Sequence, residues 1–479
     1  MSKLLKNSMF YTLGNIIPKV TKFLLLPIYS IYMSPTDYGI VSAMMALHLV
    51  LLIFFALSVD RGVERIFYDD ADQRRRTRLM GTMSMFLAAT SLLMFGICWG
   101  AQNWIMKLFP GIPIHPFFMY MLLATWGNCA AIIPKVYWRV TEQGGLFFSV
   151  ALLEFFMQVA LELVFVVWLK KGAEGFMIAG LLREAIFIPY YIWVMFRISS
   201  LSFDIKLLSD SLKICLPMVP TLLCAWLLNL SNRSFITRYV SVADLGLYSF
   251  ASNLANTVIF LGTGFITAYG PNFYALANNA DLDPFEAKSK LFVCNRRFCL
   301  VVMLCAAAIA LFMQEFSLFT NRRYADCYPM IPLIIFGNVF SLFAGLQNLA
   351  LYQQKKTVYL MFINIGAAFV NVALNRALIP TWGRWGAAWA TVITLIGVFS
   401  ATYIIARRGY FIPMAWLKLL PVGIFLIAAT CLFYFRPLPF IFSVAGKVIV
   451  MTGALLYCLK SEKVGLRSLF KRDSDLRHA

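Results

Sequence analysis

Tyr32-Met33-Ser34-Pro35-Thr36-Asp37-Tyr38-Gly39-Ile40-Val41-Ser42 recurs later in the chain as Tyr239-Val240-Ser241-Val242-Ala243-Asp244-Leu245-Gly246-Leu247-Tyr248-Ser249. Tyrosine, serine, aspartate, glycine and serine coincide at one constant offset. A second match joins Gly172-Ala173-Glu174-Gly175 to Gly383-Arg384-Trp385-Gly386 at nearly the same offset, with Ala179 or Ala390 following. Two matches in register mark a duplicated unit. Each copy of the first element opens a long apolar run, and a carboxylate suits the positive end of a helix, so Asp37 and Asp244 are expected to cap the helices that follow.

The runs between these elements fix the solvent. The chain has 479 residues, 61% hydrophobic and 13% charged, with mean hydropathy +0.76. A soluble domain is nearer half apolar and a quarter charged, so lipid must face most of this surface. The apolar runs are about 20 residues long and do not alternate, so they read as helices rather than barrel strands. Spans are expected near 8–32, 38–59, 79–100, 116–138, 147–168, 176–196, 214–239, 245–271, 298–318, 329–351, 357–379, 386–405, 417–434 and 439–459. An even number of spans separates the copies, so both enter the membrane in the same direction. The expected fold is an all-α polytopic membrane protein of about 14 transmembrane helices. Two parallel-repeat six-helix lobes, 1–203 and 204–410, precede a trailing helix pair and basic tail, 411–479. The basic stretch 197–213 links the lobes.

Charge sets the orientation. With the N-terminus inside, roughly 25 Lys and Arg fall on the cytoplasmic side and about 7 outside. Both termini are then cytoplasmic, and the net charge of +20 belongs to inner loops rather than to a nucleic-acid site. The first apolar run is too long for a cleavable signal peptide and lacks a small-residue cleavage site. The ten cysteines lie mostly inside the runs, Cys327 alone in an outer loop, and show no metal spacing; no disulfide framework, metal or cofactor is expected. No Walker loop is present, and the outer loops near 101–115 and 319–328 hold little catalytic chemistry.

Charges at membrane depth are costly and tend to face a bundle interior or a watery cavity. They are mainly basic here, which suits an anionic substrate carrying phosphate or pyrophosphate. Lys19 and Lys22 share one face of the first span. Arg233 lies in the seventh span, the repeat equivalent of the first, and Arg376 in the eleventh. Arg61, Arg65 and Lys135 complete the cationic candidates; for Arg61 and Arg65, as for Arg139 and Arg238, snorkelling or structural pairing is the alternative role. Asp60 and Glu64 neighbour Arg61 and Arg65 at the inner mouth. Glu154 and Glu162 lie on roughly one face of the fifth span. These four acids are the candidates for relaying a coupling ion, with pairing to a neighbouring helix as the alternative. Lys447 is a further buried base in the last span. Trp382, Trp385 and Trp389 read as an interfacial belt.

Several stretches resemble the Wzx-type polysaccharide flippases of the multidrug/oligosaccharidyl-lipid/polysaccharide exporter superfamily. They are Asn7-Ser8-Met9-Phe10-Tyr11-Thr12-Leu13-Gly14-Asn15, Lys22-Phe23-Leu24-Leu25-Leu26-Pro27-Ile28-Tyr29, Met33 to Gly39, Leu245 to Tyr248, and Trp382 to Ala388. The resemblance implies MATE-like lobes working by alternating access. It implies a substrate too: an undecaprenyl-pyrophosphate-linked oligosaccharide repeat unit, moved from the cytoplasmic to the periplasmic leaflet. A polysaccharide polymerase and a chain-length regulator are the implied partners, besides membrane lipid. Lys19, Lys22, Arg233 and Arg376 are the positions that would meet the pyrophosphate. Many relatives carry an acid where this chain has Asn232, before Arg233. The competing readings are a lipid II flippase, a cation-coupled multidrug exporter, and a membrane-embedded glycosyltransferase or polymerase. The basic excess disfavours the exporter, and the short outer loops disfavour the enzyme.

Overall fold

Short turns made of capping residues separate the long helices. The computed structural model describes residues 21, 23–69, 72–200, 202–278, 283–408, 414, 416–435 and 439–461. In chain order the helices are α1 (Phe23–Tyr32), α2 (Pro35–Ala56), α3 (Val59–Phe67), α4 (Gln73–Gly100), α5 (Gln102–Ile105), α6 (Phe117–Asn128), α7 (Ile132–Val140), α8 (Gly144–Glu162), α9 (Gly172–Ile198) and α10 (Ile205–Cys215). They continue with α11 (Met218–Tyr239), α12 (Val242–Ala255), α13 (Thr257–Ala277), α14 (Pro284–Phe316), α15 (Ile331–Gln353), α16 (Thr357–Trp382), α17 (Arg384–Arg407), α18 (Trp416–Phe435) and α19 (Phe440–Ser461). No strand occurs among the described residues. Twelve described helical stretches are long and apolar enough to cross a membrane, and two shorter apolar ones, Phe23–Tyr32 and Leu419–Tyr434, fall where the first and thirteenth spans are expected.

The starts of these helices follow from their sequences. Ser34 is the N-cap of α2, with Pro35 at the first helical position, where its missing N–H costs nothing. Asp72 caps α4 by accepting from the Arg74 N–H, and Asp204 caps α10 by accepting from the Lys206 and Leu207 N–H groups. Two residues in the left-handed region, Leu57 and Ser58, turn the chain from α2 into α3. Directly after Glu162, α8 widens into a π-helical segment, Leu163–Trp168, a feature often found at functional positions.

The chain packs as two units. One comprises Met1–Asn253, Thr320–Cys327 and Met361–Thr394; the other comprises Leu254–Phe319, Tyr328–Leu360 and Leu395–Ala479. Within the first, α2 lies against α11 and α6, α9 packs on α6 and α8, and α3 and α4 pack on α10. Its core includes Met33, Met44, Phe55, Phe118 and Phe250, all buried. Within the second, α13, α14 and α15 pack on one another, and α18 and α19 pack on α14.

Both copies of the repeat lie in the first unit, and they meet there. A Cβ on Gly39 would collide with the Val242 carbonyl, and one on Gly246 with the Pro35 carbonyl. Each would also stand 3.1 Å from the other glycine's amide nitrogen. The Ser42 and Ser249 hydroxyls, 207 residues apart, hydrogen-bond at 2.6 Å. Equivalent residues touching one another reciprocally is the signature of a local twofold axis. That axis passes between the N-terminal halves of α2 and α12.

Candidate functional site

The two sequence matches turn out to be parts of one structural device. In the first copy the Asp37 N–H donates to the Ser34 hydroxyl at 3.1 Å, and the Ser34 hydroxyl donates to Asp37 Oδ2 at 2.6 Å. In the second the Asp244 N–H donates to Ser241 at 2.9 Å, and Ser241 to Asp244 Oδ2 at 2.6 Å. The expectation that the aspartates are the caps is therefore corrected. The serine caps in both copies, and in α2 the aspartate also accepts from the Ser34 N–H, closing a capping box from three residues on. The second carboxylate oxygen is freed for a longer reach. Asp37 Oδ1 accepts from the Ala173 N–H at 3.3 Å, and Asp244 Oδ1 accepts from Arg384 at 2.6 Å. Each aspartate thus grips the start of the helix led by the second repeated motif. Gly172 and Gly383, which open those helices, have φ of +52° and +56°, the left-handed region that favours glycine.

Arg233 sits at the axis just described. Its Nε donates to the Ser42 hydroxyl at 2.9 Å, and that hydroxyl is the one bonded to Ser249. Beside it, Asn253 Nδ2 donates to the Tyr38 hydroxyl at 2.6 Å, and the Tyr38 ring packs edge-on against Phe250 and Tyr324. A guanidinium held among hydroxyls and aromatic rings, on the axis between repeat copies, is well placed to meet a negative group.

A carboxylate-free polar network adjoins Arg233. Asn232 Nδ2 donates to the Tyr248 hydroxyl and to Thr391 Oγ1, both at 2.9 Å. Asn375 Nδ2 donates to Asn232 Oδ1 at 2.6 Å, to Asn371 Oδ1 at 2.9 Å and to Ser231 at 3.1 Å. Asn371 donates to Thr394 at 3.3 Å. The network ties α11 to α12, α16 and α17 with buried amides, whose alternative in an apolar surrounding would be an unsatisfied polar group. Asn371 and Asn375 were not among the residues singled out from sequence. Two asparagines spaced i, i+4 inside an apolar run were the signal available.

Among the described residues, the acids singled out in the first unit are engaged. Lys135 (α7) donates to Glu154 (α8) at 2.8 Å, and Tyr191 (α9) donates to the same carboxylate. A predicted cation and a predicted coupling acid are therefore partners. Glu162 is buried and accepts from Gln158 at 2.7 Å and from the Tyr29 hydroxyl. Glu184, also buried, is held by Asn128 at 3.0 Å and by Arg183. In α3 the expected mixed ion cluster forms around Glu64, which binds Arg139 (α7) at 3.0 Å and Arg61 at 3.4 Å, with Asp60 3.5 Å from Arg61. Arg65 does not join it, because one helical turn on it finds Asp69.

The remaining predicted residues lie apart. Arg376 is exposed and makes no ion pair with any described residue, while its neighbour Asn375 turns into the network. Lys19 and Lys22 lie outside the described residues. In the second unit Lys447 is fully buried and donates to Glu315 at 2.6 Å and Gln314 at 3.2 Å. No group of His, Cys, Asp and Glu able to hold a metal occurs among the described residues.

Comparisons with known proteins agree with this architecture. The structure is similar to a lipid II flippase, MurJ, in its inward closed conformation, with a TM-score of 0.69 at 13% identity, covering 95% of this chain and 99% of that one. It is similar to the inward-facing conformation of a MATE-family multidrug resistance transporter, with a TM-score of 0.60 at 15% identity, covering 83% and 94%. A superfamily transporter from Pyrococcus furiosus, described as having a binding pocket of reversed polarity, matches with a TM-score of 0.51 at 13% identity, covering 85% and 95%. At these identities the likeness establishes the fold. No curated protein matches by sequence. The family described as "Polysaccharide biosynthesis protein" matches residues 32–282, just over half of the chain and the stretch holding both copies of the Asp-x-Gly element. The chain is a multi-pass membrane protein with the flippase and MATE-transporter fold, and it belongs to this polysaccharide biosynthesis family.

Proposed function

We propose that the protein flips an undecaprenyl-pyrophosphate-linked oligosaccharide repeat unit, of O-antigen, capsule or exopolysaccharide, from the cytoplasmic to the periplasmic leaflet of a bacterial inner membrane. The observation that carries the reading is membership of a polysaccharide biosynthesis family by a chain with a transporter's fold. The placement of Arg233 supports it, since a guanidinium binds a pyrophosphate through parallel hydrogen bonds. The head group would rest on cations between the repeat copies while the prenyl tail stays in the bilayer. Alternating access of the two lobes, coupled to an ion gradient, would then turn the head group outward. Both termini are cytoplasmic in this reading, and a polymerase and a chain-length regulator take over the product.

The test is complementation of a deletion strain. Arg233→Ala should abolish surface polymer and leave lipid-linked repeat units on the cytoplasmic side, with folded protein still in the membrane. Arg233→Lys should retain part of the export. Full surface polymer with both Arg233→Ala and Lys19→Ala would overturn the assignment. Loss of growth rather than of surface polymer would move the substrate to the lipid II branch.

A further inference from the structure

Two outer loops carry little catalytic chemistry, yet both reach across to the repeat axis. Residues 101–116 run between the third and fourth expected spans, and Thr320–Cys327 between the ninth and tenth, so the loops are counterparts in the repeat. We propose that they are two crossed straps that hold the outer side of the molecule shut, and that outward opening requires both to let go. The inference rests on the alternating access proposed above.

Each loop grips the other copy of the repeat. In the first, the Leu108 carbonyl accepts from the Ser234 hydroxyl of α11 at 2.6 Å. Gly111 passes so close to α12 that a Cβ there would stand 3.3 Å from Val242 Cγ2, and its φ of +88° itself favours glycine. In the second loop the Asn321 N–H donates to the Ser30 hydroxyl of α1 at 3.1 Å. The Tyr324 hydroxyl donates to the Met33 carbonyl, just beyond α1, at 3.2 Å. The contacts run from the first copy to the second and back, as a local twofold axis requires.

The second strap also spans the seam where Gly39 meets Gly246. The buried Tyr324 ring lies 4.6 Å from the Phe250 ring of α12 and 6.3 Å from the Tyr38 ring of α2, centre to centre. Arg384, bonded to Asp244, has Asp326 of this loop at 3.8 Å. One tyrosine is thus wedged against both helices, and it must leave at least one of them for this end of the seam to part.

The build of the loops suits release. Each has few buried anchors, Met106, Phe109 and Ile112 in the first and Tyr324 and Cys327 in the second. Between the anchors the chain is largely exposed, Lys107, Leu108 and Pro110 in one loop and Arg322, Arg323 and Asp326 in the other. A segment held by a few hydrogen bonds and anchors can open locally while the helices beneath it stay intact.

Hydrogen–deuterium exchange of the full-length protein in lipid nanodiscs reads this opening without substrate. Tyr324→Phe keeps the ring and removes the bond to Met33, and Ser234→Ala removes the bond to Leu108. Each should raise exchange over residues 38–45 and 245–252 about fivefold, and the two together about 25-fold, as expected for one net hydrogen bond each. Because both straps must release together, Tyr324→Phe should also raise exchange in 101–116, and Ser234→Ala in 320–327. Exchange within α8 and α9 should keep its wild-type rate. A rise confined to the substituted loop would overturn the proposal, since the straps would then open independently. So would an equal rise across the whole first unit, which would make the loops general supports of the fold, or unchanged exchange in both variants. The complementation test above reads transport separately, and its failure would leave this exchange pattern as it is.

Discussion

Gly39 and Gly246 illustrate how little room one atom has. Each lacks a Cβ where the other copy's backbone passes, and the obstructing atoms are carbonyls, Val242 O and Pro35 O, rather than side-chain ends that could swing away. Alanine at either position must push α2 and α12 apart. An overpacked contact of this kind costs about 1–3 kcal/mol, and it acts here on the axis where Ser42, Ser249 and Arg233 are joined. Gly39→Ala and Gly246→Ala should therefore each lower the melting temperature of detergent-solubilised protein. Gly264→Ala, with open space around its Cβ position, should not. Equal stability of all three variants would refute the close contact. The reason these glycines recur was only half legible in the sequence. The repeat showed that both copies need glycine, but only the fold shows that each glycine serves the other.

At the scale of helices, the spans could be read because hydropathy sums over about 20 residues and tolerates local exceptions. Side-chain pairing could not, since it depends on which faces of different helices meet. Lys135 and Glu154 looked like a substrate cation and a coupling acid, and they bind each other across α7 and α8. Asn371 and Asn375 carry no charge to set them apart from other polar residues of a span, yet they hold α16 to α11. Lys447 was legible as a buried charge but not its purpose, which is to join α19 to α14 through Glu315. Removing one partner of a buried pair strands the other charge, at about 3–5 kcal/mol, whereas replacing both by apolar groups is nearly neutral. Lys447→Met should accordingly destabilise the protein strongly in a thermal melt, and Lys447→Met with Glu315→Leu should recover most of the loss. A single variant as stable as the wild type would remove the pair from the list of contacts that hold these two helices together.

For the whole molecule, the axis contact bears on the proposed transport. The Asp-x-Gly elements open α2 and α12 at turns on the outer side in the proposed orientation, and there the two copies meet through Gly39, Gly246, Ser42 and Ser249. Under the alternating access proposed above, a substrate released to that side must part this seam. The hydroxyls of Ser42 and Ser249, 2.6 Å apart, bring cysteines at the same positions within reach of a disulfide. In the double variant Ser42→Cys/Ser249→Cys, a membrane-permeant oxidant should link the two residues, identifiable as a joined peptide by mass spectrometry. Oxidation should reduce flipping to background in reconstituted vesicles, and reduction should restore it. Either single variant should be indifferent to the oxidant. If the linked protein flips at the unlinked rate, the seam does not open during transport and the exit lies elsewhere. If no link forms, the two copies do not meet as described. The aspartates give the seam its hinge stops: Asp37 and Asp244 tie it to the first turns of α9 and α17, so opening it must carry those helices along or break those bonds.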